Sequence, residues 1–234
     1  MRPRRWLAVL AGICWAAGAV ADAPPFTVTE IAAGIFVRQG VHEDATAEND
    51  DAIANIGFIV GHEAVAVIDP GGSLGDGERL RAAIAAKTDR PIRYVIMTHA
   101  HPDHVFGGAA FEPDRPIFVG HVRLAGVLGE RGHYYHRRLV EILGAERAGD
   151  YAVPTMLVTD RAVIDLGGRM LDLAAHGTGH TDNDLTIFDG ETGTLWAGDL
   201  LFVDRVPAID GSLTGWLKEL DGLKTLPATR AVPG

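Results

Sequence analysis

A nearly continuous apolar run at residues 92–97 places the strongest constraint on the fold of this chain. The run contains β-branched residues and is short, so it predicts a strand that is covered on both faces. Such a strand needs packing layers above and below it, which indicates a sheet with other elements on each side. The chain passes from this strand directly into Thr98 and His99. Polar side chains are therefore expected where a buried strand ends.

Other apolar segments predict the elements around that strand. Two hairpins are expected, at residues 56–60 with 64–68 and at residues 184–188 with 194–197, and an aspartate follows each, Asp69 and Asp199. A helix is predicted after each hairpin, at residues 78–87 and 213–223. Further strands are predicted at residues 26–29, 34–38 and 116–119, and the chain is then mostly helical to residue 143. The pattern predicts two similar halves in an α/β fold, a four-layer αβ/βα sandwich.

Length and charge limit the domain count and the partners. The 234 residues, 47% of them hydrophobic, suffice for one large core, and a single domain is expected at residues 24–234. The 21 basic residues are outnumbered by 31 acidic ones, which gives a formal net charge of -10. No basic surface for nucleic acid or anionic lipid is expected, so the predicted partner is a small-molecule substrate.

The first 23 residues have the pattern of a secretory signal peptide. Arg2, Arg4 and Arg5 precede an apolar run at residues 6–20, and small residues follow it. An uncleaved membrane anchor is the alternative, but the run is short for a bilayer span. The pattern predicts a periplasmic or secreted protein that has no membrane segment after cleavage. Cys14, the only cysteine, lies in the leader, so no thiol ligand or thiol nucleophile is expected in the mature protein.

A dense group of histidines follows the buried strand. His99, His101, Asp103 and His104 fall within six positions, with Pro102 among them. The proline favours an extended backbone at His101, and in an extended segment residues two apart share one face. Imidazole nitrogens and carboxylate oxygens are the ligands of catalytic zinc sites. The spacing therefore predicts a metal centre.

The segment Thr98-His99-Ala100-His101-Pro102-Asp103-His104 resembles the T-H-x-H-x-D-H signature of the metallo-β-lactamase superfamily. Asp69, His180 in Gly-His-Thr and Asp199 in Ala-Gly-Asp-Leu match further motifs of that family in the expected order. The resemblance implies that one metal is held by His99, His101 and His180, and that a second is held by Asp103 and His104. It also implies that Asp199 bridges the two metals and that Asp69 supports the metal-binding loop without being a ligand.

One element of the family pattern is missing. The second metal of the family takes a further histidine from a later P-G-H motif, whereas this sequence ends at Pro233 and Gly234. We expect a chain that is C-terminally truncated and whose next residue is histidine. The alternative is a protein that binds one metal firmly and a second one weakly.

The resemblance implies a zinc-dependent hydrolase with one or two Zn²⁺ ions. Zinc lowers the pKa of bound water to about 7. The expected reaction is attack of metal-bound hydroxide on an ester, thioester or amide-like bond of a small substrate. Asp103 is expected to be the catalytic residue that orients the nucleophile or accepts its proton.

The resemblance also bears on the substrate. Family members that open β-lactams often carry cysteine or serine near the position of Asp199, whereas thioester hydrolases similar to glyoxalase II use a bridging aspartate. Asp199 therefore argues against the alternative of a dedicated β-lactamase. Residues 179–185, 195–200 and 207–212 are most similar to exported zinc metallohydrolases of quinoprotein relay systems. That similarity implies a link to a quinoprotein dehydrogenase system.

Two further alternatives remain open. In one, the same fold holds iron and acts as a persulfide dioxygenase, a role that the missing histidine makes more attractive. In the other, the protein is a non-catalytic periplasmic metal-binding accessory. The aromatic and basic residues 133–138 are expected on a solvated helix face rather than in the substrate pocket. His62, His121 and His176 are expected to be structural, and Trp216 is expected in the core.

Overall fold

Two β-sheets stack face to face in the computed structural model, which describes residues 26–234. The expected leader, with Cys14, lies outside the described residues. The first sheet has the strand order β1 to β7: β1 Thr29–Ala32, β2 Ile35–Arg38, β3 Ile56–Val60, β4 Val65–Ile68, β5 Ile92–Ile96, β6 Ile117–His121 and β7 Met156–Val158. The second has the order β12-β11-β10-β9-β8: β8 Arg161–Asp165, β9 Met170–Ala175, β10 Leu185–Asp189, β11 Thr194–Gly198 and β12 Arg230–Pro233.

Helices cover the outer faces of both sheets. They are α1 Leu74–Lys87, α2 Pro102–Val105, α3 Leu124–Leu143, α4 Ala145–Ala148 and α5 Leu213–Leu223, with a 3-10 helix at Phe106–Asp114. In α5, Glu219 hydrogen-bonds His176, which also bonds Thr186 of β10, so this helix lies on the outer face of the second sheet. Among residues 26–234, no helix combines the length and the apolarity that a bilayer crossing requires.

The strand β5 is buried on both faces, as its apolar run predicted. Val95 belongs to an outer core shared with Leu80 of α1 and Leu128 of α3. Its neighbour Ile96 belongs to the core between the sheets, where Trp196 of β11 also packs. Two cores on opposite faces of the first sheet give a helix layer and two sheet layers, and α5 outside the second sheet gives the fourth layer. The four-layer α/β sandwich is therefore confirmed.

The two halves share one arrangement around the site. In the first, β3 and β4 form an antiparallel hairpin, α1 follows, and β5 returns parallel to β4. In the second, β10 and β11 form the hairpin, α5 follows, and β12 returns parallel to β11. Asp69 follows β4 and Asp199 follows β11, and both approach His104, at 2.8 Å and 3.1 Å. The equivalent ends of the two halves thus meet at one place.

Several predicted boundaries were wrong. The helix α1 begins at Leu74, not at residue 78, because the Ser73 hydroxyl caps it by accepting from the Asp76 amide at 3.2 Å. The first strand is Thr29–Ala32 rather than residues 26–29, because Thr29 pairs with Val37 of β2. The strands β7, β8, β9 and β12 were not predicted. β7 and β12 have only three and four residues, and exposed or partly exposed side chains interrupt the apolar pattern of all four strands.

Candidate metal centre

The six residues predicted to bind metal lie on loops and a short helix at the ends of strands. His99 and His101 follow β5, and Asp103 and His104 lie in α2. His180 lies between β9 and β10, and Asp199 directly follows β11. His101 is extended, with φ -68° and ψ 148°, and Pro102 begins α2. This is the backbone that the proline predicted.

One group is formed by His99, His101, His180 and Asp199. Each offers a ligand atom, and these atoms all lie within 4.8 Å of one another. The Nε2 atom of His180 lies 3.0 Å from Nδ1 of His101 and 3.3 Å from Oδ2 of Asp199. The Nε2 atom of His99 lies 3.8 Å from the same oxygen. Three imidazoles and one carboxylate that converge in this way can hold a single metal ion.

Asp103 and His104 lie beside this group. The Nε2 atom of His104 is 3.4 Å from Oδ2 of Asp103 and 3.1 Å from Oδ1 of Asp199. Asp199 therefore presents Oδ2 to the first group and Oδ1 to His104. This arrangement suits a carboxylate shared between two ions, although the roles of the individual residues stay predictions.

Hydrogen bonds on the outer side fix the orientation of the imidazoles. The Nδ1 atom of His104 contacts Oδ2 of Asp69 at 2.8 Å, and Nδ1 of His180 contacts the carbonyl oxygen of Ala208 at 2.9 Å. Carbonyl and carboxylate oxygens only accept, so each Nδ1 donates, and in the neutral, metal-binding form of each ring the lone pair is on Nε2. His99 Nδ1 likewise contacts the Thr98 hydroxyl, at 3.1 Å. In each of these rings Nε2 faces the centre.

Asp69 anchors the loop from behind. Its carboxylate accepts from the Thr98 amide at 2.7 Å and from the Thr98 hydroxyl at 2.8 Å, in addition to His104. Its φ of 54° lies in the left-handed region, which aspartate tolerates better than most residues. Burial raises the pKa of Asp69, while the bonds from His104 and Thr98 act in the opposite direction. Asp69 contacts a candidate ligand without facing the first group, which fits the supporting position.

The electrostatics of the site suit a cation. Burial and the neighbouring imidazoles lower the pKa of His99 well below its usual value, and burial also lowers that of His180. Both are therefore neutral, the form that binds metal. Burial opposes charge on His104, but the carboxylates of Asp103, Asp199 and Asp69 outweigh it and raise the pKa of His104 well above its usual value.

Buried polar atoms at the centre also indicate a missing partner. Nε2 of His99, Nε2 of His104 and Oδ1 of Asp199 are buried and make no hydrogen bond of good geometry among the described residues, although the last two atoms lie 3.1 Å apart. Buried polar atoms are normally satisfied, and several unsatisfied ones at one point need an explanation. A bound metal would satisfy them, so the donor set fits the metal that the sequence predicted.

The local sequence did not reveal every residue at the site. Ala208 bonds His180, and Asp210 lies 3.4 Å from His101 Nε2, although both are far from the histidines in sequence. The one available signal was the similarity of residues 207–212 to a family motif. Trp216 is buried, as expected, and its ring centroid lies 5.5 Å from that of His180.

A pocket of about 620 Å³ opens onto the centre. His101, Asp103 and Asp199 lie at its base, and its apolar walls include Val37 and Phe202. Pro233 and Gly234 also line it, and Asn55 Nδ2 donates to their carbonyl oxygens at 3.2 Å and 3.3 Å. The expectation that histidine follows Gly234 stays a prediction.

Residues 133–138 lie in α3 and do not line this pocket. Tyr134 is exposed, and His136 stacks on Phe106 with ring centroids 6.3 Å apart. The expected solvated helix face is therefore borne out for most of these side chains.

Comparison with known proteins identifies the fold. The family model described as "Metallo-beta-lactamase superfamily" matches residues 49–234. Among solved structures, a metallo-beta-lactamase from Pontibacter korlensis superposes with a TM-score of 0.70 at 19% sequence identity, over 88% of this chain and 89% of that one. At that identity the likeness extends to the fold alone.

Two curated relatives match more limited regions. The linear primary-alkylsulfatase of a Pseudomonas species is 32% identical over 62 residues, which are 26% of this chain and 12% of that protein. The 2,4-dinitroanisole O-demethylase subunit alpha of a Nocardioides species is 25% identical over 181 residues, which are 75% of this chain and 50% of that protein. The chain thus spans half or less of the length of these relatives.

Proposed function

Because the chain belongs to the metallo-β-lactamase superfamily, we propose that it is a metal-dependent hydrolase of a small substrate. One observation carries the proposal: the ligand atoms of His99, His101, His180 and Asp199 converge within 4.8 Å, and two of these residues, His101 and Asp199, line a pocket. Hydrolysis is the chemistry that such a centre supports most directly.

Zinc is the proposed metal, in one or two sites. His99, His101 and His180 would hold the first ion, and Asp103 and His104 would contribute to the second, with Asp199 shared. Zinc supplies a Lewis acid and lowers the pKa of water toward about 7. The neutral imidazoles and the acidic side chains of this centre match the ligand preferences of zinc.

Asp103 is the proposed catalytic residue. It lines the pocket beside His101 and Asp199, and its carboxylate lies 3.4 Å from Nε2 of His104. A carboxylate in this position can orient the attacking nucleophile and accept its proton.

The pocket supports a substrate with an apolar body. Val37, Ile53, Phe202 and Val206 form much of its wall. Arg205 also lines the pocket, and its guanidinium donates hydrogen bonds to the Glu43 carbonyl at 2.7 Å and to the Asp44 carboxylate at 3.3 Å. We propose an ester, thioester or amide-like bond as the scissile group, and Asp199 favours a thioester or ester over a lactam.

Export and a partner system are also proposed. The basic and apolar pattern of residues 1–23 supports a periplasmic or secreted location. Similarity of residues 179–185, 195–200 and 207–212 to quinoprotein-associated hydrolases supports a link to a quinoprotein dehydrogenase system. Fractionation of cells that express the tagged protein, followed by co-purification with such a dehydrogenase, tests both. Recovery in the cytoplasmic fraction alone would contradict export.

The hydrolase proposal is tested with purified protein loaded with zinc. Bound metal and turnover on a panel of esters, thioesters and lactams are measured for the wild type and for His101→Ala and His180→Ala. We expect both variants to lose metal and turnover together. His62→Ala is the matched control, because His62 is exposed in a hairpin turn away from the centre, and it should keep both.

Retained turnover in a variant without metal would refute the proposal. Metal analysis after air-free purification adds a second check, because iron in place of zinc would favour the sulfur dioxygenase alternative. Metal binding without turnover on any substrate of the panel would favour the accessory-protein alternative.

A further inference from the structure

Residues 208–212 form a segment that lies directly against two of the proposed ligands. The Asp210 amide donates to the His180 carbonyl at 3.0 Å, and the Ser212 amide donates to the Gly179 carbonyl at 2.8 Å. A side chain on Gly211 would come within 2.4 Å of the Gly179 carbonyl oxygen, so the two backbones are in close contact. The segment is therefore fixed relative to the metal centre.

This segment presents an acceptor to each of two histidines. The Ala208 carbonyl accepts from His180 Nδ1 at 2.9 Å, and Oδ2 of Asp210 lies 3.4 Å from His101 Nε2. His101 faces His180 through its other nitrogen, Nδ1. An acceptor at Nε2 keeps the proton there and leaves Nδ1 with a lone pair directed at the centre.

The Asp210 carboxylate is itself held from a second element. Nη1 of Arg131, in α3, donates to the same Oδ2 atom that faces His101. Arg131, Asp210 and His101 therefore form a continuous chain of contacts from α3 to the centre.

We infer that Asp210 is a positioning residue of the metal centre, which fixes the tautomer and orientation of His101, and that Arg131 holds its carboxylate in place. The inference rests on the proposed metal site. An ordinary surface ion pair is the competing explanation, because the side chains of Arg131 and Asp210 are 48% and 37% exposed. Such pairs contribute little to stability, so metal affinity separates the two explanations.

The test measures zinc affinity by competition with a chromogenic chelator. We expect Asp210→Ala to weaken zinc binding about 10- to 100-fold, the usual effect of removing an outer-shell partner of a ligand histidine. Asp210→Asn keeps an acceptor oxygen and should therefore lose less zinc affinity than Asp210→Ala. Asp182→Ala is the control, because it removes the same charge from a carboxylate near His180 that contacts Arg123 at 3.9 Å and Asn183 Nδ2 at 3.0 Å and is not hydrogen-bonded to a proposed ligand. It should bind zinc like the wild type.

A double-mutant cycle tests the role of Arg131. Arg131→Met should weaken zinc binding several-fold in the wild-type background and have no effect when Asp210 is already alanine, because both act through one contact chain. The absorption spectrum of the Co²⁺-loaded protein should change in Asp210→Ala and not in Asp182→Ala, since it reports ligand geometry.

The outcomes for the inference and for the proposed function can be told apart. Equal zinc affinity and Co²⁺ spectra in Asp210→Ala and Asp182→Ala would overturn the inference and leave the proposed function intact. Failure of the wild type to bind zinc would overturn the proposed function, and the inference with it. If Asp210→Ala does not fold, Asp210→Asn and Arg131→Met decide, and wild-type affinity in both would overturn the inference.

Discussion

Replacing Asp69 by asparagine should weaken metal binding at His104 with little loss of fold stability. The carboxylate accepts hydrogen bonds from the Thr98 amide at 2.7 Å and from His104 Nδ1 at 2.8 Å. Asparagine can keep an oxygen toward the Thr98 amide, but its NH₂ group then faces His104. Because an NH₂ group only donates, it cannot accept from His104 Nδ1, so in the neutral ring Nδ1 becomes the acceptor and the proton lies on Nε2. That nitrogen is the atom expected to bind metal.

The size of the effect follows from one hydrogen bond. To bind metal through Nε2, His104 in the variant must return its proton to Nδ1 and give up the bond to residue 69. Losing such a bond in a buried position costs about 1–3 kcal/mol. The metal bound by His104 should therefore be held about 5- to 150-fold more weakly.

Asp69→Ala, unlike Asp69→Asn, should lower the free energy of unfolding substantially. It leaves the Thr98 amide, the Thr98 hydroxyl and His104 Nδ1 without their shared acceptor, and both residues are buried. Alanine also tolerates the φ of 54° less well than asparagine. We expect a loss of about 3–5 kcal/mol of unfolding free energy, below the sum of the separate bonds because water can enter the space.

The assay combines two measurements on each variant. Zinc titration against a chelator gives the affinity and stoichiometry, and urea unfolding of metal-free protein gives the stability. Asp89→Asn, in an exposed loop, is the control for removing one carboxylate. The reasoning is refuted if Asp69→Asn binds zinc as tightly and with the same stoichiometry as the wild type, or if Asp69→Ala loses less than about 1 kcal/mol.

Other substitutions test the fold and the 208–212 segment. Arg169 binds buried Asp189 through two bonds, at 3.0 Å and 2.9 Å, so Arg169→Ala should cost about 3–5 kcal/mol in urea unfolding. Burial opposes ionisation of Asp189, but bonds from Arg169 and Thr192 outweigh it and lower its pKa. The contribution of ionised Asp189 to the free energy of unfolding should be complete above pH about 4 and lost on further acidification. If Arg169→Ala shows the same dependence of unfolding free energy on acid pH as the wild type, this explanation is wrong. Gly211→Ala should displace the segment and lower zinc affinity, whereas Gly126→Ala should not, because a Cβ there would meet nothing within 4 Å beyond its own helix backbone and chain neighbours.

Much of the site was accessible from local sequence. The apolar run before Thr98 fixed the strand, and Pro102 fixed the extended backbone at His101, so the positions of His99, His101 and His104 at a strand end followed directly. The two hairpins, each followed by an aspartate, likewise indicated Asp69 and Asp199. These features depend on residues that are close together in the chain, where backbone geometry links spacing to direction.

Other elements were missed because their local signal is weak. The strands β8 and β9 alternate between buried and exposed side chains within a few residues, and exposed Val163 and Met170 obscure the pattern. The start of α1 was displaced because its first turn contains glycine and aspartate instead of an apolar repeat. In both cases the pairing or capping partner decides the structure, and a local window does not contain that partner.

The sequence by itself determined which side chains reach the end of the buried strand and which chemistry they offer. The tertiary structure decided which nitrogen of each ring faces the centre, because that choice depends on the acceptor behind the ring. For His101 the acceptor is Asp210, 109 positions away, and the Asp210 carboxylate in turn accepts from Arg131, 79 positions away. Contacts between loops so distant in sequence depend on how sheets and helices pack, and no local spacing encodes them.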